Sequence, residues 1–215
     1  MFTKDDLALL QEKNISEQQI DAQLNYFKNG FPFLNIVSAA SVEKGVLRVS
    51  EAEEKEYLTA WQDFLKTDKK VTKFVPASGA ASRMFKDLFA FADADYDVPE
   101  TKFEKTFFDN IEKFAFYDAL DEACKENFEK TISELIEAGN YKAVVRVLLS
   151  PDGLNYGNLP KGLLLFHSYD EGNRTPVGEH MTEGTLYARD KNDVVNIHFT
   201  VSEEHKELFE LLVAA

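Results

Sequence analysis

Residues 71–84 read Val-Thr-Lys-Phe-Val-Pro-Ala-Ser-Gly-Ala-Ala-Ser-Arg-Met. The apolar, β-branched run to Val75 predicts a strand that stops at Pro76. The small residues Ala77, Ser78, Gly79, Ala80, Ala81 and Ser82 predict a tight loop, and a helix is expected from about residue 81 to 91. A strand, a small-residue loop and a helix start have a definite chemical use together. The loop lets backbone N–H groups approach a phosphate, and the helix dipole favours negative charge there. Arg83 adds a planar cation that can fork onto phosphate oxygens. A helix N-terminus does not favour a cation, so Arg83 at this place argues for an anionic partner.

The chain has 215 residues and a formal net charge of −14, with a sequence pI near 4.7. A nucleic-acid backbone is bound by a basic face, so DNA or RNA is not an expected partner. A nucleotide remains compatible, because a few local cations suffice for it. Hydrophobic residues make up 44% of the chain, enough for a buried core. Cys124 is the one cysteine, so no internal disulfide can form. The acidic opening lacks the apolar core of a signal peptide, and no apolar run is long enough for a bilayer. These features together predict a cytoplasmic protein with no membrane partner.

The remaining pattern is mostly helical. Ser16 to Gln19 forms a capping box, and Gly30 is a C-terminal stop. Phe31-Pro32-Phe33-Leu34 breaks that helix and opens an extended apolar segment. A helix after Ser50 is expected to turn Tyr57, Trp61, Phe64 and Leu65 toward a core. Three helices are expected over 101–149, interrupted near Tyr117 and at Gly139-Asn140. Their aromatic stripes read as core rather than cofactor box. Residues 162–167 read as a short strand, Pro176 opens a helix to about Arg189, and 194–201 alternate as a strand. A last helix follows Ser202, with Leu208, Leu211 and Leu212 as its apolar positions.

Two separated segments resemble one family. Residues 76–84 resemble the signature loop of nucleotide-sugar pyrophosphorylases and related nucleotidyltransferases: small, small, Gly, any, Gly, Thr, Arg, Met after the first strand. That family continues with Pro-Lys, an apolar run, a turn, and a Pro that opens a helix starting with Glu-His. Here Pro160-Lys161-Gly162-Leu163-Leu164-Leu165 precedes Pro176-Val177-Gly178-Glu179-His180 in the same order. The chain also resembles a poorly characterised bacterial branch, in which a helical segment separates the two motifs. No Gly-Lys-Ser/Thr follows Gly79, and the three-glycine dinucleotide pattern is absent.

The resemblance implies an α/β fold: a partial Rossmann-like, GT-A-like nucleotidyltransferase core with N-terminal helices and a helical insertion. Residues 1–70 would be the helical segment, 71–92 with 159–215 the core, and 93–158 the insertion. It implies attack of a phosphorylated, sugar-like acceptor on the α-phosphorus of a nucleoside triphosphate, accompanied by Mg²⁺, with pyrophosphate released. Residues 77–82 would surround the triphosphate, Arg83 would hold the pyrophosphate, and Lys161 would reach the phosphates from the other side. Ala81 replaces the usual second Gly. If that position needs a left-handed backbone, Ala costs about 1–2 kcal/mol. The family's metal-binding Asp after a later strand has no match, so no metal ligand is assigned. A sheet cut at residue 215 would leave an unpaired edge, so the chain is expected to continue. The alternative is an inactive binding or scaffolding module on the same fold.

The other polar candidates have ordinary readings. Glu179, His180 and Glu183 are close on one helix, yet no second His is in reach, so solvated or core-edge roles are expected. Arg174 could add to an anion site, though a turn Arg is ordinarily solvated, and Cys124 reads as buried or inert.

Overall fold

The computed structural model describes residues 2–214 and is mixed helix with small sheets. The chain forms two units, the first ending at Lys55 and the second running from Glu56.

In the first unit, helix α1 (Lys4–Glu12) starts at Thr3 and α2 (Glu17–Asn29) at Ser16, both through reciprocal capping boxes. Gly30 ends α2 with φ +75°, a left-handed value that favours glycine. Two two-residue strands follow, β1 (Ser41–Val42) and β2 (Gly45–Val46). Residues 31–37 form no strand, and Phe33 is fully exposed. Ser50 caps helix α3 (Glu51–Leu65), whose Glu53 carboxylate accepts the Ser50 N–H at 2.8 Å. None of the α3 side chains expected in a core is buried. Helix α3 runs across the boundary, and its Trp61, which belongs to the second unit, donates its indole N–H to the Tyr187 carbonyl of the same unit at 3.0 Å.

The second unit is organised by strand β3 (Lys73–Pro76) and a later strand 124 positions down the chain, so the 71–76 expectation holds. Helix α4 (Lys86–Asp93) leads into α5 (Lys102–Asp109), a 3-10 turn at Ile111–Lys113, α6 (Tyr117–Phe128), α7 (Ile132–Glu137) and α8 (Tyr141–Leu149). The 101–149 region therefore holds four helices. The unexpected break lies at Glu129, which is left-handed, and at Thr131, which forms a capping box with Glu134. A 3-10 turn at Lys161–Leu163 stands where a strand was expected, and the strand comes later as the hairpin β4 (His167–Tyr169) and β5 (Gly172–Arg174). Helix α9 (Pro176–Tyr187), strand β6 (Ile197–Thr200) and helix α10 (Lys206–Ala214) close the chain. Phe209, rather than Leu208 or Leu211, is the buried residue of α10.

β3 and β6 pair in parallel, with Val75 opposite Phe199. Their inner face packs a small core of Val75, Ala77, Val177 and Phe209. The larger core belongs to the helices, where Phe91, Leu88, Leu120, Ile132 and Leu148 are almost wholly buried. Cys124 lies in this core, fully buried, and burial pushes its thiol up to about 11, so it is inert as expected.

Glu104 is the buried charge of the helical region, only 3% exposed. It caps α5, accepting the N–H groups of Glu100 (2.8 Å) and Thr101 (3.0 Å) and the Tyr96 hydroxyl (2.9 Å). Burial alone would raise its pKa, but these donors outweigh burial and hold the carboxyl below its usual 4.5. A lowered folded pKa contributes stability above the unfolded value and loses it as pH falls through the folded value. Wild type should therefore lose urea stability between about pH 5 and about pH 3, and Glu104→Gln should lose measurably less over that window. Urea midpoints at the two pH values check this.

Candidate phosphate cleft

The site begins where β3 leaves the sheet. Ala77 N–H still donates to the Thr200 carbonyl at 2.9 Å, which extends the parallel ladder one residue beyond Pro76. The chain then turns away. Among the described residues, the backbone N–H groups of Ser78, Gly79 and Ala80 donate to no protein acceptor. Exposed, unpaired donors of this kind suit an anion. No atom lies within 4 Å of where a Cβ on Gly79 would stand, so the face of the loop there is open.

Lys161 is brought to this loop by backbone pairing. Its N–H donates to the Gly79 carbonyl at 2.9 Å, and Ala80 bridges Pro160 antiparallel. Upstream, the residues after α8 fold back onto its C-terminus. Leu154, Tyr156 and Gly157 donate to the carbonyls of Val147, Leu148 and Leu149 at 2.8, 3.0 and 3.1 Å. These bonds satisfy last-turn carbonyls that a helix end leaves orphaned. They also fix the course of the chain into Pro160.

The start of α9 forms the opposite wall. Thr175 caps it, its hydroxyl accepting the Gly178 N–H at 3.2 Å, and Pro176 takes the first helical position. Gly184 lets this helix lie close to the sheet: a Cβ there would stand 2.9 Å from Ile197 and 3.0 Å from Val195. Between the two walls is a cleft of about 180 Å³, lined by Pro76, Ala77, Gly79, Lys161, Val177 and His180 among others. Its volume falls below the roughly 300–1,000 Å³ of a drug-sized site, so it suits a phosphate chain rather than a whole nucleotide.

Ala77, Gly79 and Lys161 thus lie together on the cleft wall, and Ser78 and Ala80 are exposed beside them. Arg83 does not line the cleft, so the structure does not bring Arg83 and Lys161 together there. The reason is local. Helix α4 starts at Lys86 rather than near Ala81, after a turn closed by Met84 N–H on the Ala81 carbonyl at 2.8 Å. Arg83 is exposed in that turn, so the helix-dipole argument for it does not apply. Ser82 is exposed in the same turn. Ala81 is 0% exposed and packs into the helical core beside Phe85 and Leu88. Its φ is not left-handed, so Ala bears no strain here, and its methyl faces core rather than ligand.

One link had no reading from sequence spacing, the one from Lys73 to Glu183 and Tyr187 on α9. Lys73 on β3 hydrogen-bonds Glu183 on α9 and the Tyr187 hydroxyl, the latter at 2.7 Å. His180 Nδ1 pairs with the same Glu183 carboxylate at 3.0 Å. The Lys73 ammonium, then the His180 contact, hold the Glu183 carboxyl down to about 2. Burial would lower the Lys73 pKa, but Glu183 and Tyr187 outweigh it and raise it. His180, Glu183 and Tyr187 recur at helical spacing on one face, a signal present in the sequence; Lys73 is 110 residues away, and no pattern links it. Arg174 is not simply solvated. It bonds Glu179 at 3.3 Å and lies 4.5 Å over the Tyr169 ring.

No carboxylate lines the cleft, and among the described residues no three His, Cys, Asp or Glu side chains assemble as metal ligands. The residues present do not fit a Mg²⁺ site. No helix is long and apolar enough to cross a membrane among those described.

Residues 3–215 match a family model described as a domain of unknown function, DUF4301. No curated protein and no solved structure matches the chain.

Proposed function

We propose that this chain, which belongs to the DUF4301 family, binds a nucleoside triphosphate through its phosphates and transfers a nucleotidyl group to a phosphorylated, sugar-like acceptor with release of pyrophosphate. The observation that carries the reading is the pairing of Lys161 N–H with the Gly79 carbonyl. It ties the backbone of Lys161, which lines the cleft, to the loop whose Ser78, Gly79 and Ala80 N–H groups are unpaired, at the carboxyl end of a parallel strand pair, where open α/β sheets bind ligands. The resemblance of both motifs to nucleotidyltransferases supplies the reaction class.

In this reading the N–H groups of Ser78, Gly79 and Ala80 donate to phosphate oxygens, and Lys161 offsets their charge. Both act by position and by charge already in place, which is how phosphoryl chemistry is accelerated. A cation about 4 Å from a phosphate charge contributes roughly 4 kcal/mol at an effective dielectric near 20. Arg83, one turn outside, carries no assigned role in the cleft. Mg²⁺ would enter with the nucleotide, and no step is routed through it.

Calorimetry with ATP, CTP, GTP and UTP in Mg²⁺ tests this. At least one should bind, and Lys161→Ala should weaken it about tenfold or more. Gly79→Ala should also weaken binding with unchanged folding, because its methyl meets no protein atom and Gly79 lines the cleft. Absence of binding by all four to the folded chain overturns the proposal.

A second reading, a binding module without catalysis, is favoured by a separate apolar groove of about 480 Å³ on the helical side. Met84, Phe103, Phe107, Phe114 and Phe166 line it. The unpaired N–H groups of the loop favour the first reading.

A further inference from the structure

His180 lines the same cleft as Gly79 and Lys161, yet neither motif that defines the cleft assigns it a role. Its ring is held from one side. Glu183 is an ionised carboxylate and can only accept, so the hydrogen on the imidazole Nδ1 points at Glu183. Nε2 is left as the ring nitrogen with no protein partner among the described residues.

We infer that His180 is a second, pH-dependent phosphate contact in this cleft, presenting Nε2 to an anionic oxygen only when its ring is protonated. The inference rests on the phosphate-binding reading above. A neutral ring with hydrogen on Nδ1 turns the Nε2 lone pair outward, and a lone pair repels a phosphate oxygen. Protonation converts that atom into a charged donor.

The surroundings set the sign. From α9, the ring meets Glu183, with Tyr187 on the far side of that carboxylate and Glu179 already paired with Arg174. From β3 comes Lys73, which neutralises Glu183. From β6 the neighbour is the uncharged Phe199 ring, 6.5 Å between centroids. Lys161 stands on the cleft wall. The His180–Glu183–Lys73 set is therefore neutral with an unprotonated ring and carries one positive charge with a protonated one. That charge adds to Lys161 rather than being cancelled locally. Glu183 is a positioning residue: it fixes which nitrogen faces the ligand.

Sulfate tests this, because it keeps both charges across the range in which a histidine titrates. Its affinity for wild type should rise at least about fivefold as pH falls from about 8 to about 5.5. In His180→Gln the affinity should change less than about twofold over the same range. Lys161→Ala should weaken sulfate at every pH and keep the slope. A flat wild-type profile, or an unchanged slope in His180→Gln, overturns the inference while leaving the nucleotide reading standing if a triphosphate binds at the upper pH. Binding of neither sulfate nor any triphosphate overturns both.

Discussion

Gly153→Ala should strip the second unit of most of its stability. A Cβ at this position would overlap the Val147 carbonyl oxygen and lie 2.7 Å from the carbonyl carbon. These are backbone atoms of α8, so no rotamer change relieves the contact. The same carbonyl accepts the Leu154 N–H at 2.8 Å, and moving either partner breaks that bond. Overpacking costs about 1–3 kcal/mol or more, and a buried carbonyl left unpaired costs about another 1–3. The sum is a large share of the about 5–15 kcal/mol that holds a typical domain together. The expected result is a urea midpoint far below wild type, or no cooperative transition. Any fraction that folds should have a displaced cleft, and so be weakened in the proposed nucleotide binding, because this turn feeds the chain into Pro160 and Lys161. A transition within about 1 kcal/mol of wild type would show that the turn relaxes freely.

Phe91→Ala should be of similar size for a different reason. Phe91 is 0% exposed, with Tyr96 at 5.8 Å and Phe108 edge-on at 6.0 Å between ring centroids. It sits on α4, which packs on both α5 and α8, so truncation opens a void that three helices border. Truncating a buried Phe costs about 3–5 kcal/mol, the removed area plus the cavity left behind. The urea midpoint should fall with little change in slope. Phe128→Ala, at 44% exposure, should cost less than about half as much. Equal losses at the two sites would mean that the helical core is loosely packed.

Sequence reading was strongest where one local rule decides. Ser16 with Gln19 starts a helix by bonds between residues three apart and Gly30 ends it, and both boundaries stood out in the string. The alternation in 194–201 showed a strand, and its Ile197–Thr200 stretch pairs with β3. It failed where a helix-compatible string is overruled by packing. Ala81 to Met84 has no residue hostile to helix, but burying Ala81 against Phe85 and Leu88 turns the chain and delays α4 to Lys86. The break between Phe128 and Ile132 was not expected because the left-handed Glu129 carries no glycine to mark it. At the cleft, Gly79 and Lys161 were legible through motif order. Lys73 was not, since it reaches Glu183 from a strand far away in sequence, whereas His180 and Glu183 are neighbours on α9 and their closeness was readable.

The pairing of β3 with β6 also orders events in time. Asn196 bonds the Val71 carbonyl across 125 residues of chain. Closing an unstructured loop of that length costs about 4 kcal/mol in entropy before any contact repays it. The helices between carry their own core, and their ends meet where Ala80 bridges Pro160. Once they have condensed, the two strands are held close and most of that entropic cost has been met. The cleft exists only when the loop, the Pro160 bridge and the start of α9 are all in place. Any ligand of the cleft thus acts on the finished chain alone: it deepens the native state by mass action and leaves every partly folded form untouched.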